Sequence, residues 1–113
     1  MELLIIDFLD LLSEYKIMYL VVDGFLNGTG IRDYYNSGYI EPRSLNLSKQ
    51  LIDRLNRWLS EYETQHYNEY KNVLLLEKLD DEGKQLAKSI KEELGEIKVS
   101  YYSDYKLETF LID

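Results

Sequence analysis

Cysteine is missing from all 113 residues of the chain. Its absence excludes disulfides, thiolate zinc sites and cysteine nucleophiles. Histidine and proline occur once each, as His66 and Pro42. Basic residues are scarce: 13 Lys and Arg stand against 21 Asp and Glu, a formal net charge of −8. Phosphate backbones are held by clustered cations, so this balance argues against direct nucleic-acid binding. It argues equally against an anionic membrane surface. Long apolar runs are also lacking. The richest, MELLIIDFLDLL, is too short to span a bilayer and carries Glu2, Asp7 and Asp10. It has no basic leader and no small-residue cleavage site. These absences point to a cytoplasmic protein without cofactor or metal, whose charge suits a basic partner.

What is present reads as one domain of residues 1–113, with 45% hydrophobic content for a single modest core. Residues 2–15 repeat Leu4, Phe8, Leu11, Leu12 and Tyr15 at helical spacing. KIMYLVVDGFL reads as a first strand, so residues 1–17 form a possible helical extension. Asn27-Gly28 marks a tight turn with positive φ. IRDYYNSGYI reads as a short irregular strand or an extended loop, ended by Pro42. Ser48 is placed as the N-cap of a helix, with Leu47 and Ile52 as its hydrophobic staple. Leu51, Ile52, Leu55, Trp58, Leu59 and Tyr62 form that helix's apolar face. A further helix is expected with Asp80, Asp81 and Glu82 at its positive N-terminal end. Leu86, Ala87, Ile90 and Leu94 are its buried stripe, and Gly95 its left-handed cap. EIKVSYY alternates as a strand, SDYK turns, and LETFLI is the last strand. The expected class is α+β: a small sheet with two or three helices packed on one face.

Motifs for chemistry are thin. Gly28 and Gly30 open a G-x-G pattern, but Asp33 stands where a third glycine belongs, and no Lys-Ser or Lys-Thr pair follows. Phe25 breaks a calcium loop counted from Asp23. Glu63 precedes His66 by three residues, as in a di-iron helix, but the second copy is lacking. Asp23 with Asp33 or Glu41 offers an acid–base pair of the kind any acidic chain contains. No G-x-S-x-G elbow occurs. No residue is therefore assigned a catalytic role.

Tyrosine is abundant, with 11 residues. Tyr19, Tyr62 and Tyr101 fall on predicted apolar faces and are assigned to the core. Others fall in loops and helix ends beside acids. Tyrosine gives large contact area at low rotamer cost and keeps a hydroxyl for pairing, so interfaces favour it. Two surfaces follow. The first is the loop with Asp33, Tyr34, Tyr35, Tyr39 and Glu41. The second is the helix end with Glu61, Glu63, Tyr67, Glu69 and Tyr70.

The run GYIEPRSLNLSKQLIDRLNRWLSEYE, followed by LDDEGKQLAKSIKEELGEIKVSYYSD, resembles small acidic bacterial immunity proteins of contact-dependent inhibition and polymorphic toxin systems. The likeness covers roughly residues 18–105. It implies a non-enzymatic protein that binds a cognate toxin domain, often a basic nuclease, and occludes its working surface. The family supplies no transferable site residue. The alternative is a regulatory or oligomeric protein-binding module without a toxin, and after it a small enzyme.

Overall fold

The computed structural model describes residues 18–113; the helix expected over residues 2–15 lies outside them. The first apolar run forms β1 (Tyr19–Asp23), a central strand of a four-stranded sheet of order β2-β1-β3-β4. Asn27 turns the chain with φ 68°, as its Asn-Gly pair requires. The chain returns as β2 (Ile31–Asp33), antiparallel to β1. Glu41 is extended before Pro42, which opens a short 3₁₀ turn (Pro42–Leu45). Helices α1 (Lys49–Tyr67) and α2 (Val73–Leu94) follow. They form the crossover to β3 (Lys98–Ser103), which lies parallel to β1. β4 (Glu108–Ile112) pairs antiparallel with β3 and forms an edge.

The strand pleat decides what is buried. Leu20 and Val22, opposite Val99 and Tyr101, face the helices. There they meet Trp58, Tyr62, Leu76, Leu79, Leu86 and Ile90, all buried. The Trp58 indole N–H donates to the Leu79 carbonyl at 2.7 Å, so the bulkiest core ring leaves no orphan donor. Gly83 lets α2 approach the sheet, because a Cβ there would lie 2.2 Å from Tyr101 Cε1. Tyr62 and Tyr101 are core as expected. Tyr19 is not in the core cluster: its odd position turns it to the other sheet face, half-buried, with its hydroxyl 2.6 Å from that of Ser100.

Ser48 caps α1 as expected, its hydroxyl accepting from the Leu51 N–H at 3.2 Å. Glu93 of α2 grips the same residue, accepting from the Ser48 N–H at 2.7 Å and hydroxyl at 2.6 Å. The start of α2 differs from expectation. Asn72 caps it, accepting from the Leu75 N–H, and the helix begins at Val73. Asp80 is therefore a mid-helix residue, only 1% exposed, and not an N-terminal charge. Leu76, Leu79, Gly83 and Leu86 already carry the buried stripe through this stretch. Gly95 has the expected positive φ, 85°, but with ψ −118° it lies outside the left-handed helical region.

Gln65 sits on the buried side of α1, and its carboxamide oxygen has no hydrogen-bond partner among the described residues. It lies in a groove of about 510 Å³ between α1 and α2, floored by Leu75 and Leu79. A buried acceptor without a donor costs about 1–3 kcal/mol, whereas an apolar side chain of similar shape carries no such penalty. Gln65→Met should raise stability by about 1 kcal/mol, about 4 °C in Tm for a domain of this size. Thermal melts of the two proteins check this; an unchanged or lower Tm contradicts it.

Candidate functional site

Because β1 and β3 are parallel, Asp23 and the Tyr102–Asp104 stretch emerge at the same end of the sheet. Asp23 is 2% exposed and fully engaged. Its Oδ2 accepts from Arg32 Nε–H at 2.6 Å, and its Oδ1 accepts from the Tyr39 hydroxyl at 2.7 Å and the Phe25 N–H at 3.2 Å. The Arg32 guanidinium lies 5.9 Å from the centre of the Tyr102 ring. Burial and the Asp23 carboxylate push the Tyr39 phenol well above the usual tyrosine range, so it stays a donor. These groups and Asp104 border an open cleft of about 340 Å³.

Asp104 joins the cleft to the end of α1. His66 Nε2 lies 2.9 Å from the Gly24 carbonyl oxygen, which only accepts, so this nitrogen carries a proton. His66 Nδ1 meets the Tyr70 hydroxyl. Tyr70 donates to Asp104 Oδ2 at 2.9 Å, and that oxygen is 3.3 Å from His66 Nε2. Burial and Asp104 push Tyr70 upward as well. Both phenols beside carboxylates are thus shifted toward the protonated form, the opposite of an activated nucleophile. His66 is half-buried and held at both ring nitrogens. The arrangement can bind charge and position aromatic surface. Among the described residues, no group of three or more His, Asp or Glu is placed to hold a metal ion. No described helix is long and apolar enough to cross a membrane.

The two surfaces drawn from the sequence are redistributed. Tyr34 and Tyr35 are 49% and 54% exposed and cluster with Tyr19, Tyr34 stacking on it at 4.1 Å between ring centres. They lie at the start of β1, where the Tyr34 N–H donates to the Tyr19 carbonyl. Tyr39, from the same loop, instead reaches the opposite end of β1 and the cleft. Asp33 is half-buried and holds its own turn, accepting from the Asn36 N–H at 3.2 Å. Glu41 is exposed just before the 3₁₀ turn. Of the helix-end set, Glu61 borders the α1–α2 groove, and Glu63 and Tyr67 are exposed on α1. Glu69 is exposed in the interhelix turn, 3.7 Å from Lys71. Tyr70 is half-buried and belongs with the cleft through Asp104. Hence Tyr39 and Tyr70, assigned to different surfaces, converge on one end of the sheet. Sequence reasoning missed Arg32, Tyr102 and Asp104. A signal for Asp104 is the Asp that closes β1 in VVD and the Asp that directly follows β3 in YYSD.

No curated protein and no solved structure matches the chain. A family described as Serratia CdiI immunity protein-like matches residues 27–104, from the turn after β1 through α1, α2 and β3 to Asp104. That match spans more than half of the sequence and includes both helices and most of the cleft residues, and it places the chain in the Serratia CdiI immunity protein-like family.

Proposed function

We propose that the protein neutralises a cognate toxin domain of a contact-dependent inhibition system by stoichiometric binding that occludes the toxin's working surface. The family match supports the class of partner. The net charge of −8 supports a basic toxin domain, of which a nuclease is the obvious kind, because opposite charge steers encounter. The observation that carries the choice of face is the exposure of Tyr34 and Tyr35 at the start of β1 and of Tyr39 at the Asp23–Asp104 cleft at its other end. The helices cover the other face of the sheet, so this aromatic and acidic face is the side turned away from the core. Half-exposed tyrosines are suited to become buried anchors, whose truncation typically costs about 2 kcal/mol or more.

A Tyr34→Ala, Tyr35→Ala, Glu41→Ala variant should lose about 100-fold or more in toxin affinity. Its circular dichroism spectrum and melting temperature should change little, since all three side chains are exposed. Calorimetry against the toxin encoded beside this gene, with a growth-protection assay, reads the outcome. The comparison is a Glu61→Ala, Glu63→Ala, Tyr67→Ala, Glu69→Ala variant. If that variant loses protection while the tyrosine variant keeps it, the helix end is the binding face and the sheet-face reading fails.

A further inference from the structure

We infer that the groove between α1 and α2 binds a small amphipathic zwitterion of the amino-acid class, a free amino acid or short peptide whose apolar side chain rests on Leu75 and Leu79. The inference goes beyond the toxin-binding reading, because the groove lies between the helices and the proposed toxin face lies on the other side of the sheet. Gln65 is the first observation. It lines the groove, is only 4% exposed, and its carboxamide oxygen has no hydrogen-bond partner among the described residues. A buried acceptor of this kind calls for a donor from outside the fold. The last torsion of a glutamine side chain is broad, so the oxygen can turn to a donor that enters the groove. The groove's volume of about 510 Å³ falls in the usual range for small-ligand sites, about 300–1,000 Å³.

The charges around Gln65 are the second observation. α1 and α2 run antiparallel across the turn at 68–72, which sets Glu61 level with Lys78 and Arg57 level with Glu82. The groove thus carries two cations and two carboxylates in crossed positions. None of the four forms an ion pair among the described residues. Glu61 and Gln65 lie one helical turn apart on α1 and share a face, so one ammonium can donate to both. Arg57 and Lys78 are the matching partners for a carboxylate. Leu75 and Leu79, also one turn apart, form the apolar floor between them. Other guests fit worse. A phosphate or a lone carboxylate would face Glu61 and Glu82 without a positive group of its own. A purely apolar guest would leave the Gln65 oxygen without a donor.

The test titrates the isotopically labelled full chain with leucine, leucylleucine, 4-methylpentanoate, 3-methylbutylamine and glycine. Leucine or leucylleucine should shift the amide resonances of Thr64, Gln65, Leu75 and Leu79 and the side-chain NH2 signals of Gln65. The tighter of the two names a free amino acid or a short peptide as the guest. 4-Methylpentanoate lacks the ammonium and 3-methylbutylamine the carboxylate, so each should bind about tenfold more weakly or worse. Glycine lacks the apolar side chain and should leave the resonances in place. Gln65→Met should weaken both zwitterions by about tenfold or more. It is expected to be the more stable protein, so the loss is not one of folding. Glu61→Gln, an exposed substitution, should weaken them too, whereas Glu63→Gln, on α1 outside the groove, should not. The bound zwitterion should also raise the melting temperature of the parent more than that of Gln65→Met. No shift from either zwitterion up to its solubility limit overturns the inference. Equal binding of the single-charge analogues, or undiminished binding by Gln65→Met and Glu61→Gln, overturns it as well.

Discussion

Replacing Asp80 with alanine should bring the protein to the edge of unfolding at neutral pH. Three hydroxyl groups converge on this one carboxylate inside the core. Tyr101 donates at 2.7 Å and Tyr62 at 3.1 Å to Oδ1, and Ser103 donates at 2.7 Å to Oδ2. The acceptors in turn hold the β3–β4 turn: the Tyr105 N–H donates to the Tyr62 oxygen and the Lys106 N–H to the Ser103 oxygen. Alanine removes the hub and leaves three buried hydroxyls without their acceptor. Each such group costs about 1–3 kcal/mol, and the carboxylate's space adds a cavity. With some relaxation the loss should reach about 3–5 kcal/mol, against a total of about 5–15 kcal/mol for a domain. Asp80→Asn keeps the shape and one oxygen acceptor, so it should lose less than half as much. Chemical denaturation of the three proteins decides. Equal stability of Asp80→Ala and the parent would mean that the network contributes nothing net.

The same residue shows where the sequence is legible and where it is not. Helix α1 is readable because its cues are local: Ser48 caps, Leu47 precedes, and Leu51, Leu55, Trp58 and Tyr62 repeat at helical spacing. The α+β class follows from such cues added along the chain. In α2, three successive acids look like a helix start, because carboxylates favour the positive end of the helix dipole. Burial overrides that cue at Asp80, since three hydroxyls from α1 and β3 supply the donors that solvent would. Those partners lie 18 to 23 residues away, and no local pattern announces them. Tyr19 fails for a related reason. A strand buried near both faces hides its phase, so its apolar run does not say which side of the sheet Tyr19 takes.

The candidate site was half-legible for geometric reasons. Exposed tyrosines beside acids can be found by composition, and Tyr34, Tyr35, Tyr39 and Tyr67 are indeed exposed. Their grouping cannot be found that way. Tyr34 and Tyr39 are five residues apart, yet they serve opposite ends of β1, because the Asp33–Ser37 turn reverses the chain between them. Tyr70 joins Tyr39's end only because the parallel crossover brings Asp104 beside β1. Topology makes the cleft, and topology is the part of a fold that sequence periodicity specifies least.

Alkaline unfolding tests the buried phenols together. Burial is the leading cause that raises both Tyr62 and Tyr101 far above the usual tyrosine value, with Asp80 adding to each. In the unfolded chain they titrate near pH 10. Their contribution to stability is therefore complete below about pH 10 and is lost as pH rises toward the raised folded values. Above pH 10 the unfolded state releases protons that the folded state keeps, at about 1.4 kcal/mol per pH unit for each tyrosine. The two fully buried rings together give about 2.7 kcal/mol per pH unit, a fall in Tm of roughly 10 °C. Tyr39 and Tyr70 shift the same way but are more exposed, so solvent screening makes their share smaller. Melting curves between pH 8 and pH 12, at about half-unit steps, should be flat at first and then fall steeply from about pH 10. Absorbance at the phenolate band separates tyrosine from lysine titration. It should show part of the tyrosines ionising only with loss of the folded dichroism signal. Tyr101→Phe should be less stable at neutral pH but lose stability less steeply above pH 10, since one of the two protons no longer counts. A Tm that stays level past pH 11, or a variant as steep as the parent, would show that Tyr62 and Tyr101 do not couple folding to pH.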